Sequence, residues 1–259
     1  MAIAETMLVS EAQRAQYMDK GYFVTDVLFD EATLAEVREA FLQIWQGQID
    51  ALHEADEATV YRVRHRPFIA RLHEVSEVCD AFCRHEIFMQ LAREMVGTDI
   101  DMTWNQTIIK PPAPVDNTFA WHQDMWYATH GEYAKDCNLE ILNAPFTGIT
   151  VWVAVTRTIV DNGTLWVIPG GHKNGLLPHV WSDEGQEWQG QFDTSWKIPA
   201  VMEAGQMLVF NKYLPHGSGP NVSEEMRMAY QIGYGIPGLK LRPDPDIVPV
   251  MRDGVGVRV

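Results

Sequence analysis

Residues 148–169 read GITVWVAVTRTIVDNGTLWVIP, and this stretch sets the fold class. Gly148–Val155 is a run of β-branched and aromatic residues, the composition of a buried strand. Thr164–Pro169 is a second run of that kind. Asn162-Gly163 between them is a strong hairpin-turn signal, because both residues tolerate the positive φ of a tight turn. Pro169-Gly170-Gly171 then stops the second strand. Working outward, the same grammar marks strands at Met102–Ile109 and Phe119–Asp124 upstream, and at Gln206–Asn211 and Arg227–Ile236 downstream. The first third reads differently. Helices are expected from Ser10 to near Gly21, from a cap at Asp30 through Gln46, and from about His85 to Met95, with Tyr22–Thr25 as a short strand. Leu34, Val37, Phe41 and Ile44, and then Ile87, Leu91 and Met95, recur at helical spacing. The expected class is mainly β with flanking helices: an antiparallel sandwich or barrel at about 99–240 behind a helical part at about 1–98. No linker-like tract or internal repeat divides the 259 residues, so a single domain over 1–259 is expected. Two long connections, about 125–147 and 171–197, read as lids or binding loops.

The charge balance excludes several partner classes. Asp and Glu number 35 against 20 Lys and Arg, a formal charge of −15. Nucleic-acid binding and polybasic membrane contact need the opposite balance, so a small-molecule partner is expected. The 3 cysteines, Cys79, Cys83 and Cys137, form neither a disulfide framework nor a zinc signature. A reducing, cytoplasmic setting fits them. The opening MAIAETMLVS lacks the basic and apolar regions of a signal peptide, and no apolar run reaches membrane-spanning length.

The chemistry concentrates in Trp121-His122-Gln123-Asp124. On a strand, positions i and i+2 share a face, so His122 and Asp124 are expected to project together with Gln123 turned away. An imidazole and a carboxylate placed so form two adjacent corners of a metal site, although a lone pair of this kind is also common on surfaces. The third corner must come from His130, His172, His179 or His216. His216 is favoured. It follows the apolar strand Met207–Phe210 and precedes Gly217-Ser218-Gly219, small residues that leave room for an ion. His130 and His179 fall in the long connections, and His172 follows a turn. Two His and one carboxylate leave up to three coordination positions open, which suits non-haem Fe(II) oxygen chemistry; a closed zinc site would fill four positions with Cys and His. Arg227 opens the next strand, and its guanidinium can grip a carboxylate through two bonds. Ser218 adds a hydroxyl donor. Alone, such an arginine reads as a surface ion pair; beside the triad it points to a metal that also binds a dicarboxylate.

These residues resemble the phytanoyl-CoA dioxygenase family of Fe(II)/2-oxoglutarate oxygenases. The matching pieces are WHQD at 121–124, TVWVAV at 150–155, DNGTLWVIPGGHK at 161–173 and HGSGPNVSEEMR at 216–227. GYFVTDVLFDEATLAEVREAF at 21–41 is similar to the family's N-terminal part. The resemblance implies a double-stranded β-helix, a jelly-roll (cupin-like) fold with the metal at one open end. It implies Fe(II) on His122, Asp124 and His216, with 2-oxoglutarate and O2 as cosubstrates. Arg227 and Ser218 would then hold the distal carboxylate of 2-oxoglutarate. By the same resemblance Trp152, Gln106 and Lys110 lie on strands that line the cosubstrate, and alternation puts Trp104, Gln106, Ile108 and Lys110 on one face. Asp124 argues against the halogenases of this superfamily, which carry a small residue there. The implied reaction is hydroxylation or a related oxidation that releases succinate and CO2.

Substrate contacts are expected from Met125, Trp126 and Tyr127, directly after the metal pair. Trp181, Trp188, Phe192 and Trp196 in the second connection can build an apolar wall or simply pack onto the sheet. The one dense basic cluster, Arg62, Arg64, His65 and Arg66 with Arg71 nearby, can face an anionic substrate but reads first as a solvated patch. A coenzyme-A thioester fits poorly with a charge of −15, so a modest-sized metabolite or natural-product intermediate is expected. Two other readings use the same residues. One is a cupin-like metalloenzyme of another class, such as an isomerase, in which Arg227 has no cosubstrate role. The other is a non-enzymatic jelly-roll binding module in which the His-Gln-Asp string is incidental.

Overall fold

A computed structural model describes residues 7–112, 115–130, 146–183, 187–238 and 247–257. Most of its helices begin where a side chain satisfies a free N–H group of the first turn. Helix α1 (Glu11–Lys20) starts at Ser10, which forms a capping box with Gln13, and ends at Gly21 with φ 84°. Helix α2 (Glu31–Asp50) is capped by Asp30 and runs beyond the expected end at Gln46. Three short helices were not legible as periodic segments: α3 (Glu57–His65), α4 (Leu72–Val75) and α5 (Glu77–Cys83). Helix α3 buries no residue fully, so it carries no apolar stripe to announce it. Helix α6 (Glu86–Met95) matches the expectation, with His85 as its cap. Helix α7 (Asp124–Thr129) was expected as strand end and loop.

The strands are β1 (Tyr22–Val24), β2 (Phe68–Ala70), β3 (Ile100–Lys110), β4 (Phe119–His122), β5 (Gly148–Ala154), β6 (Leu165–Val167), β7 (His179–Ser182), β8 (Glu187–Gly190), β9 (Ile198–Pro199), β10 (Met207–Phe210), β11 (His216–Ser218), β12 (Arg227–Gly235), β13 (Val248–Arg252) and β14 (Val255–Gly256). An 8-stranded sheet runs in the order β1-β10-β5-β12-β3-β13-β14, with β2 also paired to β3. A 4-stranded sheet runs β4-β11-β6-β9. Their pairings are antiparallel, as a jelly roll requires. The sheet therefore reaches outside the expected 99–240 core, because β1, β2, β13 and β14 all join it.

The expected hairpin at Asn162-Gly163 is not formed. Strand β5 pairs with β10 and β12, whereas β6 pairs with β11 and β9, so the chain crosses here from one sheet to the other. The turn itself is real. The Asn162 side chain accepts from the Ile159 N–H and donates to the Arg157 carbonyl, and Gly163 takes φ 78°. A turn dipeptide specifies a local reversal, not the partner of the strand that follows it.

Alternation along the large sheet separates two layers. On one face Val151, Val153, Val209, Tyr230, Ile232 and Tyr234 pack against Leu34, Phe41, Phe82 and Phe88 of the helices. On the other, Trp152, Ala154, Leu208, Phe210 and Ala229 meet Leu165 and Val167 of the small sheet. The functional side chains described below lie on this second face, between the sheets. The connection at 171–197 is not a bare loop: β7 and β8 pair within it as a 2-stranded sheet. The connection at 125–147 begins as α7, and its residues 131–145, Cys137 included, lie outside the described residues. Among the described residues no helix is long and apolar enough to cross a membrane.

Candidate metal centre and cavity

Strand β11 pairs with β4 so that His216 lies directly opposite His122, and the two rings stand 4.2 Å apart. A cross-strand pair of this kind brings two side chains to one point from distant parts of the chain. Asp124 joins them by a route the sequence did not show. The strand stops at His122, Gln123 remains extended, and Asp124 is the first residue of α7. Its Oδ1 still lies 3.7 Å from His122 Nε2 and 3.5 Å from His216 Nε2. The three ligand atoms lie within 4.8 Å of one another, a grouping that could hold a metal ion.

Hydrogen bonds orient each candidate ligand. His122 Nδ1 donates to the Ala120 carbonyl at 2.8 Å, and His216 Nδ1 donates to the Leu214 carbonyl at 2.9 Å. A carbonyl only accepts, so the proton sits on Nδ1 and the Nε2 lone pair of each ring is left for a cation. Burial, with His216 alongside, pulls the His122 imidazole down to about 4, which keeps it neutral. Asp124 Oδ2 accepts from Thr150 Oγ1 at 3.0 Å and Gln231 Nε2 at 3.3 Å, so Oδ1 is the oxygen left toward the histidines. Gln106 in turn donates to Gln231 Oε1 at 3.0 Å, which fixes the direction of the Gln231 amide. Two imidazoles presenting Nε2 and one oriented carboxylate are the donor set a divalent ion of the iron group takes.

Gln123 turns away from the metal pair as expected. Its side chain ties the site to two loops, donating to the Gly175 and Tyr213 carbonyls and accepting from Leu177 N–H. Its own N–H donates to His179 Nε2 at 3.2 Å. His179 is thus a structural acceptor beneath the site rather than a third ligand.

The cluster opens into a cavity of about 350 Å³. Of the residues expected to bind cosubstrate, Arg227, Ser218, Gln106 and Trp152 line it. Arg227 is fully buried, its guanidinium 5.4 Å from the Trp152 ring, with one bond to the Ile108 carbonyl at 3.1 Å. Burial lowers its pKa to about 9. Among the described residues Arg227 Nε, Trp152 Nε1 and Gln106 Oε1 are buried and have no hydrogen-bond partner. Lys110 behaves differently. Its ammonium bonds the carbonyls of Ser218 and Gly219, and it is not among the lining residues. It braces the strand that carries Ser218 instead of facing the cavity.

Of the three residues expected at the substrate, the structure brings only Tyr127 to the cavity. Met125 is buried, and Trp126 stacks between His130 and His179 at 3.6 and 4.3 Å. The reason is the helix: successive side chains on α7 diverge, and only the position three after Asp124 returns to its side. Arg62 and Arg66, expected on a solvated patch, line the cavity.

A family model described as phytanoyl-CoA dioxygenase (PhyH) matches residues 17–229. This chain belongs to the phytanoyl-CoA dioxygenase family. A probable alpha-ketoglutarate-dependent hypophosphite dioxygenase of Stutzerimonas stutzeri is 25% identical over 238 residues, which cover 86% of this chain and 77% of that protein. Among solved structures, EctD from S. alaskensis with 2-oxoglutarate and 5-hydroxyectoine superposes with a TM-score of 0.68 at 20% identity, covering 92% of this chain and 79% of that one. EvdO2 from Micromonospora carbonacea var. aurantiaca, complexed with 2-oxoglutarate, gives 0.65 at 20% identity over 95% and 98%. These two likenesses show the jelly-roll fold.

Thr150 lies within the family-like stretch 150–155 but was given no role there, and Gln231, Glu187 and Lys212 lie outside the matching pieces; the structure adds all four. Gln231 carried a signal, since it lies on the Arg227 face of a strand at i+4. Lys212 carried none. Its ammonium is buried without a hydrogen-bond partner among the described residues, and burial pulls it down to about 7 against the pull of Asp124.

Two outcomes follow from this geometry. Gln231→Leu frees Asp124 to rotate, so Mn(II) affinity measured by calorimetry should drop about 10- to 100-fold, as loss of a partner behind a metal ligand does; an unchanged affinity would contradict the role given to Gln231. His179 is lowered by burial to about 4 from its ordinary 6.5, so the fold favours its neutral form. Its contribution to stability is complete above about pH 6.5 and is lost as pH falls toward 4. His179→Gln, which keeps an acceptor for Gln123, should flatten that acid limb in unfolding titrations; an identical limb would exclude His179 as its source.

Proposed function

We propose that the cavity is the active site in which this chain, an Fe(II)- and 2-oxoglutarate-dependent dioxygenase, hydroxylates or otherwise oxidises a small-molecule metabolite or natural-product intermediate. His122 Nε2, His216 Nε2 and Asp124 Oδ1 hold the iron. Arg227 takes the distal carboxylate of 2-oxoglutarate, with Ser218 beside it and Trp152 and Gln106 along its length. Lys110 acts one step back, through the carbonyls of Ser218 and Gly219. A cytoplasmic, reducing setting accords with Cys79 and Cys83, which are free and buried.

The observation that carries this reading is Arg227. It is a fully buried cation with an unpartnered Nε among the described residues, and it lines the same cavity as the His–Asp–His cluster. A buried charge without compensation costs several kcal/mol. A dicarboxylate that chelates the metal at one end and meets the guanidinium at the other removes that cost. A metalloenzyme without such a cosubstrate, the isomerase-type alternative, would leave the charge standing. The relative named as alpha-ketoglutarate-dependent and the two neighbours solved with 2-oxoglutarate support the same choice.

With dioxygen, Fe(II) and 2-oxoglutarate supply the oxidising chemistry and release succinate and CO2. The chain's own residues prepare it. The Ala120 and Leu214 carbonyls keep both imidazoles in the ligating tautomer. Thr150 and Gln231 hold the carboxylate to one orientation. Ile108, Trp152 and Leu165 line the cavity with apolar surface, which keeps bulk water from the reacting centre.

Arg227→Gln should weaken 2-oxoglutarate binding about a hundredfold in calorimetry on the Mn(II)-loaded protein, the scale of losing one partner of a buried charge pair. Mn(II) affinity should stay unchanged, because Arg227 does not touch the triad. Equal 2-oxoglutarate affinity in the variant would remove Arg227 from the site.

A further inference from the structure

The charged residues that line the cavity are Arg62, Arg66, Arg227, Asp124 and Glu187. On the cosubstrate reading above, on which this inference rests, Arg227 is matched by the distal carboxylate. The divalent metal is matched by Asp124 and the keto-acid carboxylate. Arg66 is matched by Glu187, whose two oxygens both accept from its NH2 at 3.1 Å. One cation is left. Arg62 lies on α3 four residues before Arg66, the C-cap of that helix, and both line the cavity. It bonds only the Thr59 hydroxyl, at 3.4 Å, and has no acidic partner among the described residues.

We infer that the substrate carries a single carboxylate on an apolar body, and that Arg62, with Arg66 behind it, receives that carboxylate at the cavity wall. Three further observations converge on this. Arg66 lies over Phe119 with its guanidinium carbon 4.8 Å from the ring centroid, and its buried Nε has no partner among the described residues. The surface beside the two arginines is apolar, built by Phe68, Phe119, Trp104, Ile108 and Tyr127. The volume of about 350 Å³ is at the small end for ligand cavities and must also hold the cosubstrate. One surplus positive charge matches a carboxylate better than a phosphate monoester, which brings close to two negative charges. Glu187 sets this limit. It is fixed on β8 by Arg66 and by the Ala120 N–H at 3.3 Å, so it cancels the second arginine.

The basic cluster at 62–66 thus divides by face. Arg62 and Arg66 turn to the cavity, whereas Arg64 is exposed and does not line it. Arg62 is itself exposed, so its contribution is partly screened and should shrink as salt rises.

The test uses the full chain loaded with Mn(II) and 2-oxoglutarate. Calorimetry measures binding of 3-phenylpropanoate, hexanoate and cyclohexanecarboxylate, each against its own primary amide. At low salt at least one acid should bind about tenfold more tightly than its amide. Arg62→Gln should abolish that preference, and Glu187→Gln, which uncovers Arg66, should enlarge it several-fold. The affinity for 2-oxoglutarate should be the same in both variants as in the parent. Acids and amides that bind alike, or no binding by any acid, would overturn the inference while 2-oxoglutarate still binds normally. Failure of the parent protein to bind 2-oxoglutarate would instead overturn the cosubstrate reading, and this inference with it.

Discussion

The pairing of β11 with β4 sets His216 opposite His122, and the rest of the site is arranged around that contact. Two imidazoles packed 4.2 Å apart in a buried place cannot both be charged at modest cost. The fold resolves this by giving each Nδ1 proton to a carbonyl two residues back along its own chain. The result is a pair of rings whose Nδ1 sides face carbonyls and whose Nε2 atoms both face Asp124. The carboxylate is held from behind by Thr150 and Gln231, which come from two neighbouring strands of the other sheet. The centre therefore spans both layers of the jelly roll, and neither layer contains it alone.

Buried charge is the second organising constraint. Arg227 lies between the sheets with fewer partners than its donors need. Lys110, on the strand beside it, is also buried, and the neighbouring guanidinium helps push its pKa well below the ordinary value. Of the two, Arg227 reaches the cavity, whereas Lys110 is turned to the Ser218 and Gly219 carbonyls. A buried guanidinium in a chain of net charge −15 is a local basic point that a small anion can reach and a polyanion on the outer surface does not find. The same logic, continued to the cavity wall, leads to Arg62.

The sequence carried much of this, for physical reasons that differ by element. Strands β3, β5, β10 and β12 are long or fully buried, so their apolar runs stood out. Ser10 and Asp30 marked helix starts because capping chemistry is local, and α6 was legible from the spacing of Ile87, Leu91 and Met95. Short elements were lost. Helix α3 has no buried stripe, and β2 has only 3 residues. The sheet crossing at Asn162-Gly163 was misread because strand pairing is a long-range choice that a local turn does not encode. At the centre, His122, Asp124 and His216 were legible from ligand type and spacing, although Asp124 reaches the site as the first residue of a helix. Met125 and Trp126 were misplaced for that reason, since strand alternation does not hold across a helical turn. Arg62 and Arg66 were read as solvated because composition gives charge without direction; α3 supplies the direction.

Everything functional here depends on one claim: the His122–Asp124–His216 cluster holds Fe(II) in a form that chelates 2-oxoglutarate. The most direct measurement is the visible absorption of the anaerobic Fe(II)-loaded protein during titration with 2-oxoglutarate. The account predicts a weak metal-to-ligand charge-transfer band that grows to saturation at one equivalent and is absent in His216→Ala. Bound metal with no such band, or a band that survives in His216→Ala, would contradict it.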